Sequence, residues 1–172
     1  MANAVTTRGP GQGYQDLHIS SELLELVLMH MVRSEEVFRS AREVLSAGFF
    51  NNVGESAYQA IWDCVLENFS MYNRLPGHEL LAAVTITRLR SDTTCLPETL
   101  KEVVSVLDWI YGPQNPPEDM DVPAALVLLQ ALAMDRQVTQ PMTEAINQYR
   151  ISPDRVPELL DKLCKEKMRI MA

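Results

Sequence analysis

The side chains best suited to metal or acid–base chemistry are few and widely spaced. Histidine occurs three times, at His18, His30 and His78, without a His-Glu-x-x-His or Cys-x-x-Cys spacing anywhere. A zinc site needs several such ligands that converge on one ion, so the sequence predicts no metal centre. His30 falls inside an apolar helical segment, which favours a buried or interface histidine over a ligand.

An acidic cluster provides the second candidate for chemistry. Glu118, Asp119 and Asp121 could hold a cation, but they lack the glycine and the distal glutamate of an EF-hand loop. Because runs of like charge are usually solvated, we expect these residues to form an acidic turn that caps the next helix.

Phosphate-binding and nucleophilic motifs are also missing. The glycines of residues 9–13 resemble a phosphate loop, but no strand precedes them and Pro10 removes a backbone amide that would bind phosphate. No Gly-Lys dipeptide occurs, so there is no Walker A loop. Paired carboxylates such as Glu22 and Glu25 lack convergent polar partners. We therefore predict that this chain has no catalytic residues and no cofactor, and is not itself an enzyme.

Composition limits the partners and the compartment. The 172 residues are 47% hydrophobic, which suffices for a sizeable core, and the net charge is −8. Binding to phosphates needs a surplus of basic residues, so no strong direct nucleic-acid binding is expected. Cys64, Cys95 and Cys164 are isolated, which fits a reducing compartment. With no signal-peptide pattern and no apolar run of about 20 residues, we predict a cytoplasmic protein without membrane association.

Helical spacing of apolar residues runs through nearly the whole chain and predicts an all-α fold. Residues 1–19, which are small and polar, are predicted to form a flexible N-terminal tail. Five helices within residues 20–112 are predicted to pack as a compact bundle, the head. Its clearest amphipathic helix has apolar residues three and four apart: Tyr58, Ile61, Trp62, Val65, Leu66, Phe69 and Tyr72.

A different architecture is predicted after the head. Residues 113–122 are acidic and proline-rich and read as a linker, because no periodic element can cross them. Residues 123–172 predict an extended antiparallel helical hairpin for oligomerisation. Pro141 lies inside its first, long helix and lacks the amide that a helix requires, so a kink is expected near Gln137.

The long helix is apolar on two faces, and one partner helix can cover only one of them. The last helix offers a first partner surface through Val156, Leu159, Leu160, Leu163, Cys164 and Met168. The remaining surface predicts contact with another chain. The candidate interface residues are Leu126, Leu128, Leu129, Leu132, Met142, Ile146, Leu160 and Leu163.

The order of these motifs resembles the N-terminal domain of DnaB-type replicative DNA helicases. The matching positions are residues 22–28, Val44, Leu45, Phe50, Tyr58, Ile61, Trp62 and Val65, followed by residues 124–146 with Asp135 and Arg136, and by residues 156–162. The resemblance implies a collar domain of the primosome that acts in DNA replication by assembly. It implies a homo-oligomer built from dimers of hairpins, with a hexameric ring in the full-length context. It also implies docking of a primase or a helicase loader, with ATP-dependent motor domains C-terminal to the collar.

Three alternatives stay open at this point. The chain could be a free-standing adaptor or inhibitor that binds a helicase or a primase. It could also be the helicase-binding domain of a primase, which shares a helical head and hairpin. The third alternative is an unrelated helical domain, since the matching positions are mostly core residues that other bundles also have.

Overall fold

The computed structural model describes residues 21–149 and 153–172 of the chain. Within these ranges the secondary structure is helical without β-strands, so the predicted all-α class is confirmed. The predicted tail, residues 1–19, lies outside the described residues. The α-helices are α1 (Ser21–Arg33), α2 (Glu35–Val44), α3 (Ser56–Tyr72), α4 (His78–Ser91), α5 (Pro97–Ile110), α6 (Val122–Met134), α7 (Gln140–Gln148) and α8 (Val156–Met171).

Several helices begin where side chains can satisfy the free amides of a first turn. The Ser34 hydroxyl accepts a hydrogen bond from the Val37 amide at the start of α2. Pro97 occupies the first turn of α5, where its missing N–H costs nothing. The Asp121 carboxylate accepts from the Ala124 amide over 3.0 Å. The expected capping role of the acidic turn is therefore confirmed at Asp121.

Helix α1 is the centre of the head and packs against α2, α3, α5 and α6. Most of its side chains are buried, and these lie on more than one face of the helix. Next to it, the Phe38 ring lies 5.4 Å from the ring centre of Trp62 and 4.4 Å from that of Phe69. This aromatic cluster joins α2 to α3 and forms the middle of the core.

Helix α6 packs into the core of the head. It packs on α1, α2 and α8. Its residues Ala125, Leu129 and Leu132 share one hydrophobic cluster with the buried residues of the head. Ala125, Leu129, Leu132 and Ala133 of α6 are buried within the chain, whereas Val127 is 68% exposed. Residues 113–122, which include a 3₁₀ turn at Pro117–Asp119, connect parts of one packed body.

The structure has an irregularity at the place expected from Pro141, where the winding changes from α-helical to π-helical. The five residues Asp135–Thr139 form a π-helix between α6 and α7. Pro141 cannot donate to the carbonyl of Gln137 one turn back. The π-helical turn instead bonds the Gln140 amide to the carbonyl of Asp135. The helical path therefore continues from α6 into α7 without a loop.

We expect Leu132→Ala to lower the free energy of unfolding by about 2–5 kcal/mol, because a cavity would replace a fully packed side chain. Leu132 is 2% exposed, whereas Val127 on the same helix is 68% exposed. The control, Val127→Ala, should change the stability by less than about 0.5 kcal/mol. Urea unfolding followed by circular dichroism measures both. Equal losses would contradict the packing of α6 into the head.

Candidate functional site

The eight residues predicted as an interface do not share one environment. Leu129, Leu132 and Leu163 are buried inside the chain, against α1, α2 or the neighbouring hairpin helices. Their side chains belong to the core of this chain, and their part in an interface stays a prediction. Leu126, Leu128, Met142 and Leu160 are half-buried, and Ile146 is 60% exposed.

Large apolar side chains nevertheless reach the surface of α6, α7 and α8. Five of them are more than half exposed, and four of these five were not among the predicted residues. We call this set the hairpin surface: Val127, Ile146, Tyr149, Met168 and Met171.

Helix α8 explains why the prediction was incomplete. Val156, Leu163 and Ile170 recur every seven residues and are buried. A second stripe, Cys164, Met168 and Met171, follows three- and four-residue spacing and is exposed. Cys164 and Met168 therefore do not cover the long helix as expected. Periodicity reveals two apolar stripes but does not tell which one faces inward.

A hydrogen-bonded junction fixes the hairpin to the end of α2. The Gln137 amide nitrogen Nε2 donates to the Val44 carbonyl and to Glu166 Oε1, each over 3.0 Å, and its Oε1 accepts from the Ser46 amide. Arg169 donates to the carbonyls of Glu43 and Val44. The last carbonyls of a helix lack partners within the helix and favour positive charge. Gln137 of the π-helix and Arg169 of α8 donate hydrogen bonds to these carbonyls, and Arg169 also brings the positive charge.

The electrostatics of this junction centre on Glu166. Hydrogen bonds from Arg169 hold the pKa of the Glu166 carboxyl below its usual range, with a further contribution from Gln137. A small apolar cluster of Ala133, Val138 and Ile170 lies beside these polar groups. The junction thus combines polar and apolar contacts between α2, the π-helix and α8.

A buried ion pair makes the second attachment. Arg136 of the π-helix reaches both carboxylate oxygens of Glu55, just before α3, and the Nη2–Oε2 distance is 2.9 Å. The two side chains are only 12% and 10% exposed. The guanidinium also lies 5.1 Å from the centre of the Phe49 ring. Arg136 was matched only as part of a motif, and nothing local in the sequence identifies Glu55 as its partner.

A separate groove lies between α3 and α4 on the head. It encloses about 430 Å³ and is lined by Met71, Tyr72 and Leu80, which are exposed apolar residues. Glu67 and Arg74 add charges to its lining. This groove was not predicted. Tyr72 belongs to the apolar stripe that was expected to pack into the core, but it is the last residue of α3 and is 59% exposed.

Among the described residues, no group of three or more His, Cys, Asp or Glu side chains could hold a metal ion. Over the same ranges, no helix is both long enough and apolar enough to span a bilayer. The buried carboxylate of Glu55 is occupied by Arg136 on both oxygens.

The chain was compared with known protein families, curated proteins and solved structures, and none of them matches it. The resemblance to the collar of DnaB-type helicases therefore rests on the residues named above.

We expect Arg136→Gln to lower the free energy of unfolding by about 3–5 kcal/mol, because Glu55 would remain buried without a cationic partner. Lys165→Gln is the matched control, since the pair of Lys165 with Asp161 is exposed and should contribute less than about 1 kcal/mol. Urea denaturation at neutral pH measures both variants. Similar losses in the two would show that the buried pair does not anchor the hairpin.

The junction also predicts a dependence of stability on pH. Because the pKa of Glu166 is lowered in the folded state, its contribution is present above the unfolded value of about 4.3 and is lost as pH falls through the folded pKa. Glu166→Gln should therefore be less stable than the native chain at neutral pH, by less than about 1 kcal/mol. It should also lose less stability on acidification.

Thermal unfolding at several pH values between neutral and acidic conditions measures this difference. Glu144→Gln, an exposed carboxylate on α7, serves as the control and should follow the native curve. Parallel curves for the native chain and Glu166→Gln would refute the role of the junction.

Proposed function

We propose that this chain is an assembly domain whose hairpin surface pairs with that of a second copy, as in the collar of DnaB-type replicative helicases. The observation that carries the proposal is the exposure of Val127, Ile146, Tyr149, Met168 and Met171 on three neighbouring helices. We infer that these side chains form one patch, because α8 packs on both α6 and α7. Contiguous exposed apolar patches mark interaction sites. In a two-fold pair, each copy would bury the same patch against its partner.

The attachments of the hairpin support this proposal. The Arg136–Glu55 pair and the Gln137–Glu166–Arg169 junction hold the π-helix and α8 against the head. Helix α7 in turn packs on α8 and on the π-helix. A surface that is already rigid loses less conformational entropy on association than a flexible one. Assembly through the hairpin would therefore arrange the heads in a defined geometry.

In this proposal the chain acts in DNA replication without catalysing a reaction. Paired hairpins would build the homo-oligomer, up to a hexameric ring beside ATP-dependent motor domains in the cytoplasm. A primase or a helicase loader would dock on the heads. The surplus of 23 acidic over 15 basic residues favours a protein partner over direct contact with DNA.

The α3–α4 groove favours a second candidate function, that of an adaptor which binds a helicase or primase. Its exposed apolar residues Met71, Tyr72 and Leu80 belong to the head and not to the hairpin. An amphipathic helix can bind in such a groove by inserting apolar side chains spaced three and four residues apart. An adaptor of this kind would not need to self-associate.

Sedimentation velocity across micromolar concentrations tests the assembly proposal. We expect the native chain to form dimers or larger species, and Met168→Lys combined with Ile146→Lys to weaken self-association at least about tenfold, because buried lysines would lose hydration. Met71→Lys is the matched control: Met71 is 68% exposed and Met168 is 64% exposed. It should leave self-association unchanged.

Two outcomes would contradict the proposal. A native chain that stays monomeric at every concentration would exclude assembly through the hairpin and leave the adaptor function. Loss of self-association in Met71→Lys, with the double variant unaffected, would move the interface to the α3–α4 groove. Circular dichroism of each variant verifies that its helices are intact.

A further inference from the structure

The α3–α4 groove contains a buried polar side chain without a partner in the described part of the chain. Asn68 lines the groove and is only 8% exposed. Its carboxamide forms no hydrogen bond with any described residue. Buried polar side chains are normally paired, because an unpaired one loses its hydration without compensation. The unpaired state of Asn68 therefore points to a ligand in the groove.

The carboxamide of Asn68 opens to the groove and is not enclosed in the core. Within the described residues, the unpaired side-chain atoms that have no accessible surface belong to His30, Thr85 and Tyr111. Asn68 is not one of them, so its polar atoms keep some accessible surface. Because Asn68 lines the groove, a molecule bound there can reach them.

The donor and the acceptor of this carboxamide indicate what the ligand offers. Asparagine carries an acceptor oxygen and a donor NH₂ group side by side, so its complement has both an N–H and a C=O group. An extended chain directs the N–H and the C=O of one residue to the same edge. In the interior of a helix these groups already bond one another. Asn68 therefore favours an extended segment over a helix.

The apolar lining of the groove fits an extended segment of a few residues. Met71, Tyr72 and Leu80 are exposed apolar side chains in this lining. The part of α3 that lines the groove, residues 64–72, is about 12 Å long, which equals about four residues of extended chain. Alternate side chains of such a segment point to the same face. Two apolar side chains at positions i and i+2 would therefore contact the groove.

An unpaired positive charge adds a second requirement. Glu67 is paired with Arg88 over 2.8 Å, whereas Arg74 forms no ion pair with a described residue. Arg74 lies three residues before Gly77, where α4 begins without a side-chain cap. An arginine and a helix N-terminus both favour a carboxylate. This end of the groove thus favours an acidic group, although the chain as a whole has a charge of −8.

We propose that the α3–α4 groove binds an extended segment of a partner protein that carries two apolar side chains in alternate positions and an adjacent acidic side chain. Asn68 bonds a backbone N–H and C=O of the segment, and Arg74 pairs with its carboxylate. This inference rests on the adaptor function proposed above, and it names the conformation and the chemistry of the bound segment.

Blocked tetrapeptides test the proposal on the native chain. Acetylated and amidated Leu-Ser-Leu-Asp and Asp-Leu-Ser-Leu cover the two chain directions. NMR of the isotope-labelled chain follows the side-chain amide of Asn68 and the backbone amide of Gly77. We expect the better peptide to shift both signals with a Kd on the order of millimolar, as is usual for a short flexible ligand. Among versions with one backbone amide replaced by an ester, one should bind at least about threefold more weakly.

Two pairs of variants assign the contacts. Asn68→Leu removes the donor and the acceptor at similar volume and should weaken binding at least about fivefold. Its control, Asn52→Leu at an exposed position outside the groove, should leave binding unchanged. Arg74→Gln should weaken binding by about threefold or more, and Arg90→Gln, an exposed arginine of α4 outside the groove, by less than about twofold. The ester series tests the contact with Asn68 without a change in the chain.

Three results would overturn the proposal. The first is peptide binding by Asn68→Leu at the native affinity. The second is equal weakening by Arg74→Gln and Arg90→Gln, which would reduce the effect to net charge. The third is binding of a stapled amphipathic helix but of neither tetrapeptide, which would leave the adaptor function intact with a helical ligand. If neither the helix nor the tetrapeptides bind, the adaptor function fails as well.

Discussion

The burial of α6 on two sides is the constraint on which the rest of the structure depends. A helix that is apolar around most of its circumference gains stability when more than one of its sides is buried. Helices α1 and α2 cover one side, and α8 covers part of the other. The head and the hairpin are therefore not independent units. The position of the hairpin surface relative to the head is therefore set by the packing of α6.

Hydrophobic burial alone does not determine this arrangement, because it has no preferred direction. The polar contacts at the π-helix fix the rotation of this helix about its own axis. Arg136 bonds both oxygens of Glu55, and Gln137 bonds the end of α2 and Glu166 at the same time. A rotation of the helix would break these bonds and leave charged groups buried, which is costly. The exposed stripe of α8 follows from this orientation.

Local features of the fold were predictable from the sequence, whereas long-range partners were not. Capping by Asp121 and the irregularity near Gln137 depend on neighbours within one or two turns. The burial of His30 was indicated by the apolar pattern of its own helix. The partner of Arg136 lies 81 residues away along the chain. The apolar pattern of Leu129 and Leu132 predicted burial correctly but could not tell whether this chain or another covers them. The α3–α4 groove was not predicted either, because the pattern of a helix does not show which neighbour leaves its side chains uncovered.

The π-helix before Pro141 sets the direction in which the side chains of α7 point around the helix axis. A π-helical turn accommodates one more residue than an α-helical turn, and one residue corresponds to about 100° of rotation. Met142, Ala145 and Ile146 are therefore rotated about the helix axis relative to an uninterrupted continuation of α6. The outward direction of Ile146 thus depends on how many residues lie between Met134 and Gln140. The number of residues between Met134 and Gln140 therefore matters, in addition to their identity.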